Sequence, residues 1–302
     1  MARKWFRGIL AVIAMVLALW AGAAIGQTAS MSTTSPLISP MVYLPMVIGG
    51  GGTPTPETIA LRGVGVIWQY MDPETVCDDL ALLGVEQYQN WLPYPPTCPG
   101  IEPVCMWWGI GSHLLDTNPD CDTIFLWNEP QFTTQSNIEP QTGADTWDEI
   151  VQTANGRKIT TPCADLSWLS TWANTYHSSH GEWPEFDYTC IHSYPYIMPR
   201  YPLSPVEQTI NLVESARSWS LSHDGDGKIW LHEFGLWPAW CPGETCVEEY
   251  IAEIIPWLEE HGVPYNWFAL SHVGEYMAPS YDTSLVLNGE LTPFGEAYDI
   301  TD

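Results

Sequence analysis

Eight short apolar segments, each followed by a longer and more polar stretch, constrain the fold of this chain more than any other feature. Short apolar runs rich in Val, Ile, Trp and Tyr indicate buried strands, and their alternation with helical patterns predicts a parallel sheet. Eight such units are the number that a closed barrel requires. We therefore predict an α/β fold, a (β/α)8 TIM barrel, with strands at residues 61–70, 85–91, 104–110, 123–129, 158–163, 188–194, 228–234 and 264–270.

Helix signals lie between several of these segments. Asp72 and Pro73 begin an apolar periodicity that Gly84 ends, as expected for a capped helix with an early proline and a terminal glycine. Ser204 and Glu207 have the spacing of a capping box. The connection between the third and fourth strands is too short to predict a helix with the same support.

The N-terminal region predicts export. Residues 1–26 combine early basic residues, an apolar run at 9–20 and small residues, which is typical of a secretory signal peptide. An uncleaved anchor is the alternative, but the run is short against the roughly 20 residues that a bilayer needs. Residues 27–58 are predicted to be a Ser/Thr/Pro/Gly-rich linker containing an apolar segment at 41–48, and residues 59–302 one barrel domain.

Acidic residues greatly outnumber basic ones, 36 Asp and Glu against 9 Lys and Arg, for a formal net charge of −27. A chain that binds nucleic acid needs a basic surface, so this charge argues against such partners. It also disfavours anionic polymers and anionic membranes, and leaves neutral partners as the better prediction.

Eight cysteines follow the predicted signal peptide, and in an exported chain they predict disulfides. Short spacings suggest local pairs between Cys241 and Cys246 and between Cys98 and Cys105, although the sequence leaves all full connectivities open. No CxxC pair occurs, which argues against a zinc ribbon. We expect no metal and no cofactor.

Two glutamates end predicted strands, where a barrel places its functional side chains. Glu129 ends the fourth segment and Glu233 ends the seventh. A carboxylate after a buried strand is costly unless it is paired or faces a cleft. Glycoside hydrolysis needs two such carboxyl groups, one as acid/base and one ionised, on either side of the bond that breaks. A structural hydrogen-bond network is the alternative for either residue alone.

The motifs around these glutamates resemble those of clan A glycoside hydrolases. WNEP at 127–130 and HEFG at 232–235 carry the resemblance. More narrowly, the order of motifs is similar to that of glycoside hydrolase family 128, which comprises secreted endo-β-1,3-glucanases, over nearly all of residues 61–299. The family commonly has Thr where this chain has His232, directly before the second glutamate.

The resemblance implies Glu129 as the general acid/base, Glu233 as the nucleophile and no cofactor. It further implies that Asn128 binds the sugar hydroxyl beside the reacting carbon and that Tyr194 donates a hydrogen bond to the nucleophile. His192 either supports this network or packs at a strand end.

Aromatic side chains near predicted strand ends are candidate sugar platforms, because pyranose C–H faces stack on them. The resemblance favours Trp267, while core packing is the alternative for the others. The set is Trp68, Trp91, Trp107, Trp127, Tyr196, Trp237 and Trp267.

Together these features predict a secreted, monomeric retaining hydrolase of a neutral β-glucan, an endo-β-1,3-glucanase acting on a polysaccharide or oligosaccharide. Nucleic acid is not an expected partner, and the only expected membrane contact is through the signal peptide, with cell-surface association through the apolar linker segment left open. One alternative is a related hydrolase of β-1,4-glucan, mannan or xylan, and another is a noncatalytic carbohydrate-binding barrel. His177 and His180, and the turn at 223–227, are weak metal signals that are better explained as surface structure.

Overall fold

A computed structural model describes residues 60–67, 73–115, 117–197, 203–243, 245–271 and 281–299. The predicted signal peptide and linker lie outside these residues. The strands are β1 Arg62–Gly65, β2 Gln87–Gln89, β3 Glu102–Trp107, β4 Thr123–Asn128, β5 Lys158–Cys163, β6 Thr189–Ser193, β7 Ile229–Phe234, β8 Tyr265–Trp267, β9 Val286–Leu287 and β10 Glu290–Leu291. The α-helices are α1 Pro73–Leu82, α2 Pro140–Ala154, α3 Leu166–His180, α4 Pro205–Ser222, α5 Cys246–Glu260 and α6 Pro293–Tyr298.

The first eight strands form one parallel sheet in the spatial order β5, β4, β3, β2, β1, β8, β7, β6. The two outer strands meet through an isolated parallel bridge between Thr160 and Tyr188, where Thr161 N donates to Tyr188 O at 2.8 Å. Neighbours in the chain are therefore neighbours around a closed ring, and the predicted (β/α)8 barrel is confirmed.

Side-chain alternation along the strands divides the core into an interior and an outer layer. Val104 and Met106 of β3 pack with Phe125 and Trp230 inside the ring, whereas Cys105 and Trp107 face the helices. Successive side chains of a strand point to opposite faces, so these assignments follow from one register. Much of the outer layer on this side is tryptophan, with Trp107, Trp127, Trp147, Trp168 and Trp172 in one buried cluster.

The predicted helix signals act as expected. Gly84 has φ 61° just after α1, a conformation that favours glycine. The Ser204 hydroxyl accepts from Glu207 N at 3.2 Å, while the Glu207 carboxylate accepts from Ser204 N at 2.7 Å, which completes the capping box of α4. Between β3 and β4 the described residues contain a single 3-10 turn, Ser112–Leu114, in place of an α-helix. No described helix is long and apolar enough to cross a membrane.

Four disulfides use all eight cysteines, which confirms the prediction of an oxidised chain. The predicted Cys241–Cys246 pair is present, but the predicted Cys98–Cys105 pair is wrong. Cys98 joins Cys77 on α1, and Cys105 joins Cys121 before β4. The chain runs from Cys98 into β3, and Cys105 faces the outer layer there, where Cys121 is its neighbour.

The Cys163–Cys190 disulfide connects β5 to β6 at the closure of the barrel and closes a loop with a sequence separation of 27, against 5 for Cys241–Cys246. A cross-link restricts the unfolded chain more when its loop is longer. We expect Cys163→Ala with Cys190→Ala to lower the free energy of unfolding by about 3 to 4 kcal/mol, and Cys241→Ala with Cys246→Ala by about 2 kcal/mol. Urea unfolding measures both values, and a larger loss in the second variant would contradict the expectation.

Candidate active site

Both predicted glutamates lie at the carboxyl end of the barrel. Glu129 follows β4 directly, and Glu233 is the penultimate residue of β7. The Glu233 side chain is 7% exposed and that of Glu129 is 18% exposed. Parallel strands end on the same rim, so β4 and β7, which are separated around the ring by β5 and β6, bring these carboxyl groups to one cleft.

His192, on β6, lies between the two carboxyl groups. Its Nδ1 is 3.1 Å from Glu129 Oε1 and 3.6 Å from Glu233 Oε2. The two carboxylate oxygens therefore cannot be further apart than the sum of these distances, about 7 Å. Retaining glycosidases hold their carboxyl groups about 5 to 5.5 Å apart and inverting ones about 6.5 to 9.5 Å. This upper limit for one oxygen of each group admits the retaining spacing.

Glu233 accepts hydrogen bonds on both of its oxygens. The indole N–H of Trp91 donates to Oε1, and the Tyr194 hydroxyl donates to Oε2 at 2.9 Å. Burial raises the pKa of the Glu233 carboxyl above its ordinary value, and the nearby Glu129 adds to the rise. The positive charge of His192 and the two donors act in the opposite direction, because they stabilise the carboxylate.

The backbone at the end of β4 takes an uncommon course. Trp127 and Glu129 have φ 47° and 43°, a region that residues other than glycine rarely adopt and that is enriched at functional sites. Asn128, between them, is 4% exposed. Its amide N–H donates to Gln135 Oε1 at 3.2 Å, while its Oδ1 has no partner within the described part of the chain. The described structure therefore leaves a buried, unpaired acceptor next to Glu129.

A second histidine completes the polar network. His232 Nδ1 is 2.9 Å from His192 Nε2, and the His232 side chain is fully buried. Burial alone would lower the pKa of His192, but Glu233 and Glu129 outweigh this effect and raise it. Burial and the neighbouring His192 charge hold the pKa of His232 well below its usual range. His192 is therefore the more basic member of the pair.

The candidate platforms occupy different environments. Trp91 is partly exposed and packs edge-on against Phe268, with ring centroids 5.6 Å apart. Gly65 makes room for its indole, since a Cβ there would lie 2.9 Å from the ring. Trp237 stacks on Tyr194 with centroids 5.4 Å apart. Trp91 thus bonds Glu233 directly, and Trp237 packs on the tyrosine that does so. Trp127 belongs to the buried outer layer, and partly exposed Tyr196 packs edge-on against Trp240.

Two other predicted platforms, Trp267 and Trp107, are buried away from the cleft. Trp267 is fully buried, packs against Phe234, and donates its indole N–H to the Thr283 carbonyl at 2.9 Å. Trp107 is fully buried as well, because its position on β3 faces the helices rather than the cleft. Neither position fits the platform role that we predicted. Trp68 lies outside the described residues.

Several site residues escaped the sequence analysis. The Trp91 bond to Glu233 and the His232 contact with His192 join residues from different βα units, and Gln135, the partner of Asn128, lies in the loop after β4. Only His232 could have been noticed in the sequence, because it departs from the resembled family directly before the predicted nucleophile.

The weak metal signals are explained as surface structure: His177 stacks on Trp183, and His180 lies 3.6 Å from Asp148.

One group of metal-ligand type occurs among the described residues. Ligand atoms of Cys163, Cys190, His192 and His232 all lie within 4.8 Å of one another. Metals bind the cysteine thiolate, and here the two sulfurs are joined in a disulfide. The group therefore offers two imidazoles and no four-ligand set.

The cleft thus holds two carboxyl groups, from β4 and β7, at the carboxyl end of a barrel. A family model described as the glycosyl hydrolase catalytic core matches residues 65–298. The chain belongs to this family. As a glycosyl hydrolase it cleaves glycosidic bonds. Glu129 and Glu233 both lie inside the matched region.

Solved structures of glycosyl hydrolases share the fold. An exo-β-1,3-glucanase of family 128 from Blastomyces gilchristii, in complex with glucose, matches with a TM-score of 0.61 and 21% identity over 80% of this chain and 98% of that one. An endo-β-1,3-glucanase of the same family from Sorangium cellulosum matches with a TM-score of 0.63 and 21% identity, over 80% and 98%. A third, from Amycolatopsis mediterranei in complex with laminarihexaose, matches with a TM-score of 0.64 and 20% identity, over 80% and 100%.

No curated protein matches the sequence of this glycosyl hydrolase. The solved structures therefore agree with the fold, and with the family 128 resemblance of the motifs, while the reaction has to be argued from the cleft.

Proposed function

We propose that the protein is a secreted retaining endo-β-1,3-glucanase, with Glu233 as the nucleophile and Glu129 as the general acid/base. The observation that carries this proposal is the contact of His192 with both carboxyl groups, which brings one oxygen of each to within about 7 Å of the other, a limit that the spacing used in double displacement satisfies. The hydrogen bonds from Trp91 and Tyr194 support the role of Glu233, because they stabilise a buried carboxylate.

The reaction proceeds in two steps. A Glu233 carboxylate oxygen attacks the anomeric carbon as the glycosidic C–O bond breaks, and protonated Glu129 gives its proton to the departing oxygen. Glu129, now a carboxylate, then removes a proton from water. The water oxygen attacks the anomeric carbon, the bond to Glu233 breaks, and both carboxyl groups return to their starting states.

Asn128 supplies a substrate contact that grows stronger during each step. Its free Oδ1 suits the hydroxyl next to the reacting carbon, where a hydrogen bond stabilises the oxocarbenium-like transition state. Trp91, which bonds Glu233, and Trp237, which stacks on Tyr194, present aromatic surface for the C–H faces of the sugar rings.

Three independent features favour a neutral β-1,3-glucan as the substrate. The net charge of −27 disfavours anionic polymers. The cleft carries aromatic rings beside Glu233. The related structures are β-1,3-glucanases, two of the three named above acting as endo-enzymes. Four disulfides and the N-terminal sequence pattern support secretion.

A polysaccharide panel tests the proposal. Reducing-sugar release is measured on β-1,3-glucan, mixed-linkage glucan, cellulose, mannan and xylan, with product lengths followed over time. We expect release from β-1,3-glucan, with oligosaccharides of several lengths appearing early. Activity confined to cellulose, mannan or xylan would contradict the linkage, and binding of glucan without hydrolysis would favour the noncatalytic alternative.

Removing the Trp91 donor is expected to move the acid limb of the pH profile. Glu233 must be ionised to attack, and burial already raises its pKa, so activity is lost as pH falls through that raised value. Trp91 lowers the pKa through its indole N–H, and Trp91→Phe removes this effect while keeping an aromatic ring. We expect the acid midpoint of kcat/KM to rise by about one pH unit.

The pH of the acid midpoint, rather than the size of kcat/KM, tests the role of Trp91 in the Trp91→Phe variant. Loss of sugar stacking would lower kcat/KM equally at every pH and would leave the midpoint unchanged. Trp237→Phe, which changes a ring without a bond to Glu233, serves as the control. An acid midpoint that is the same in Trp91→Phe and in the wild type would contradict the assigned role.

A further inference from the structure

His232 precedes Glu233 on β7 and stands where the resembled family commonly has Thr. We propose that His232 is a positioning residue: its Nδ1 accepts a hydrogen bond from His192 Nε2–H and so keeps His192 protonated between the two carboxyl groups. The contact is 2.9 Å long. This inference rests on the proposed function of Glu129 and Glu233.

The arrangement of hydrogen atoms follows from the partners of each ring nitrogen. His192 Nδ1 lies 3.1 Å from Glu129 Oε1 and 3.6 Å from Glu233 Oε2, and because Glu233 is ionised this position favours a proton on Nδ1. Two carboxyl groups within 3.6 Å favour the second proton on Nε2 as well. His232 is fully buried beside this cation and is therefore neutral, which leaves its Nδ1 lone pair as the acceptor.

Packing holds His232 in this orientation. Its ring is 4.2 Å from the Phe125 ring and 5.1 Å from the His192 ring, centroid to centroid, inside the barrel. Its Nε2 has no partner in the described part of the chain, so the bond to His192 is its only side-chain hydrogen bond there. A Thr side chain at this position is shorter and lacks the ring nitrogen that makes this contact.

Few titratable groups face His192 and His232. β5 and β6 contribute the Cys163–Cys190 disulfide, which does not titrate. The Tyr194 hydroxyl is committed to Glu233, and burial raises its pKa well above the ordinary value, so it stays neutral. The titrating neighbours are Glu129 and Glu233.

A permanent His192 cation balances the charge through the whole reaction. Before the first step Glu233 is negative and Glu129 is protonated. After it Glu233 is esterified and neutral, and Glu129 has lost its proton and is negative. One negative charge thus moves between two groups that both lie within 3.6 Å of His192 Nδ1, and the cleft keeps the same net charge. Loss of the His192 proton leaves that charge unbalanced in a buried site.

Two variants of the full chain separate this role from simple packing. His232→Leu keeps bulk and removes the acceptor, whereas His232→Asn places an amide oxygen where Nδ1 stood. Histidine NMR titration gives the pKa of His192 in each, assigned with a His192→Gln variant. We expect His232→Leu to lower the His192 pKa by about one unit or more and His232→Asn to retain it. The alkaline midpoint of kcat/KM on β-1,3-glucan should move in parallel.

An unchanged His192 pKa in His232→Leu, or equal shifts in both variants, would overturn the inference. The wild-type protein gives an answer that depends on no variant: nitrogen-detected NMR should show His192 protonated on both nitrogens and His232 protonated on Nε2 only, and a proton on His232 Nδ1 would overturn it. Inactivity of the wild type on every glucan would refute the proposed function instead, while the two NMR results would still decide the role of His232.

Discussion

Glu233→Gln is expected to lower kcat/KM on β-1,3-glucan by at least about 10⁴-fold, because an amide cannot attack the anomeric carbon. The substitution keeps the shape of the side chain. Its amide oxygen still accepts from one of the two donors, Trp91 or Tyr194. The loss should therefore appear in kcat with little change in substrate binding. Reducing-sugar assays give the rate, and calorimetry with a β-1,3-gluco-oligosaccharide gives the affinity.

Glu102→Gln is the matched control for this variant. Glu102 is also a partly buried glutamate on a barrel strand, but it begins β3 and so lies at the opposite end of the barrel from Glu233. We expect activity close to that of the wild type. A comparable loss in both variants would indicate damage to the barrel, and a Glu233→Gln protein that keeps a tenth of the wild-type activity would contradict the nucleophile assignment.

Glu129→Ala is expected to affect substrates unequally. Hydrolysis of β-1,3-glucan needs a proton on the departing oxygen, and loss of the acid should lower kcat by about 10³-fold. An aryl β-glycoside whose leaving group is an acidic phenol releases the phenolate without that proton. The first step should therefore be nearly normal, and the glycosyl-enzyme should accumulate. Azide fits the space left by the carboxylate and should restore turnover, giving a glycosyl azide of retained configuration.

The contrast with Glu233 identifies which carboxyl group has which role. Glu233→Ala should fail on the aryl glycoside as well, and azide should give the opposite anomer with it. Equal losses of Glu129→Ala on polysaccharide and aryl glycoside, with no response to azide, would contradict the acid/base assignment.

The barrel and the two glutamates could be predicted because both depend on local pattern. Apolar runs followed by helix signals predicted the order of the strands. A carboxylate at the end of such a run was thereby placed at the carboxyl end of the barrel. Strand ends were less accurate: the predicted strand at 104–110 is Glu102–Trp107 in the structure, and that at 264–270 is Tyr265–Trp267.

What the sequence could not provide is the face that each side chain takes and its partner on another strand. Trp107 and Trp267 look like platforms in sequence, but Trp107 faces the helices and Trp267 is buried against Phe234. The Cys98–Cys105 pair failed for the same reason, because spacing does not state which face of β3 carries Cys105. The bonds from Trp91 and His232 depend on barrel register, which no single segment encodes.

Trapping of the glycosyl-enzyme tests the central claim most directly. A 2-deoxy-2-fluoro β-1,3-linked glucoside with a good leaving group slows the second step, so a retaining enzyme accumulates its covalent intermediate. Mass spectrometry should find one sugar adduct per chain, on the peptide that contains Glu233. Product of inverted configuration without any adduct, or an adduct on a different carboxylate, would contradict double displacement through Glu233.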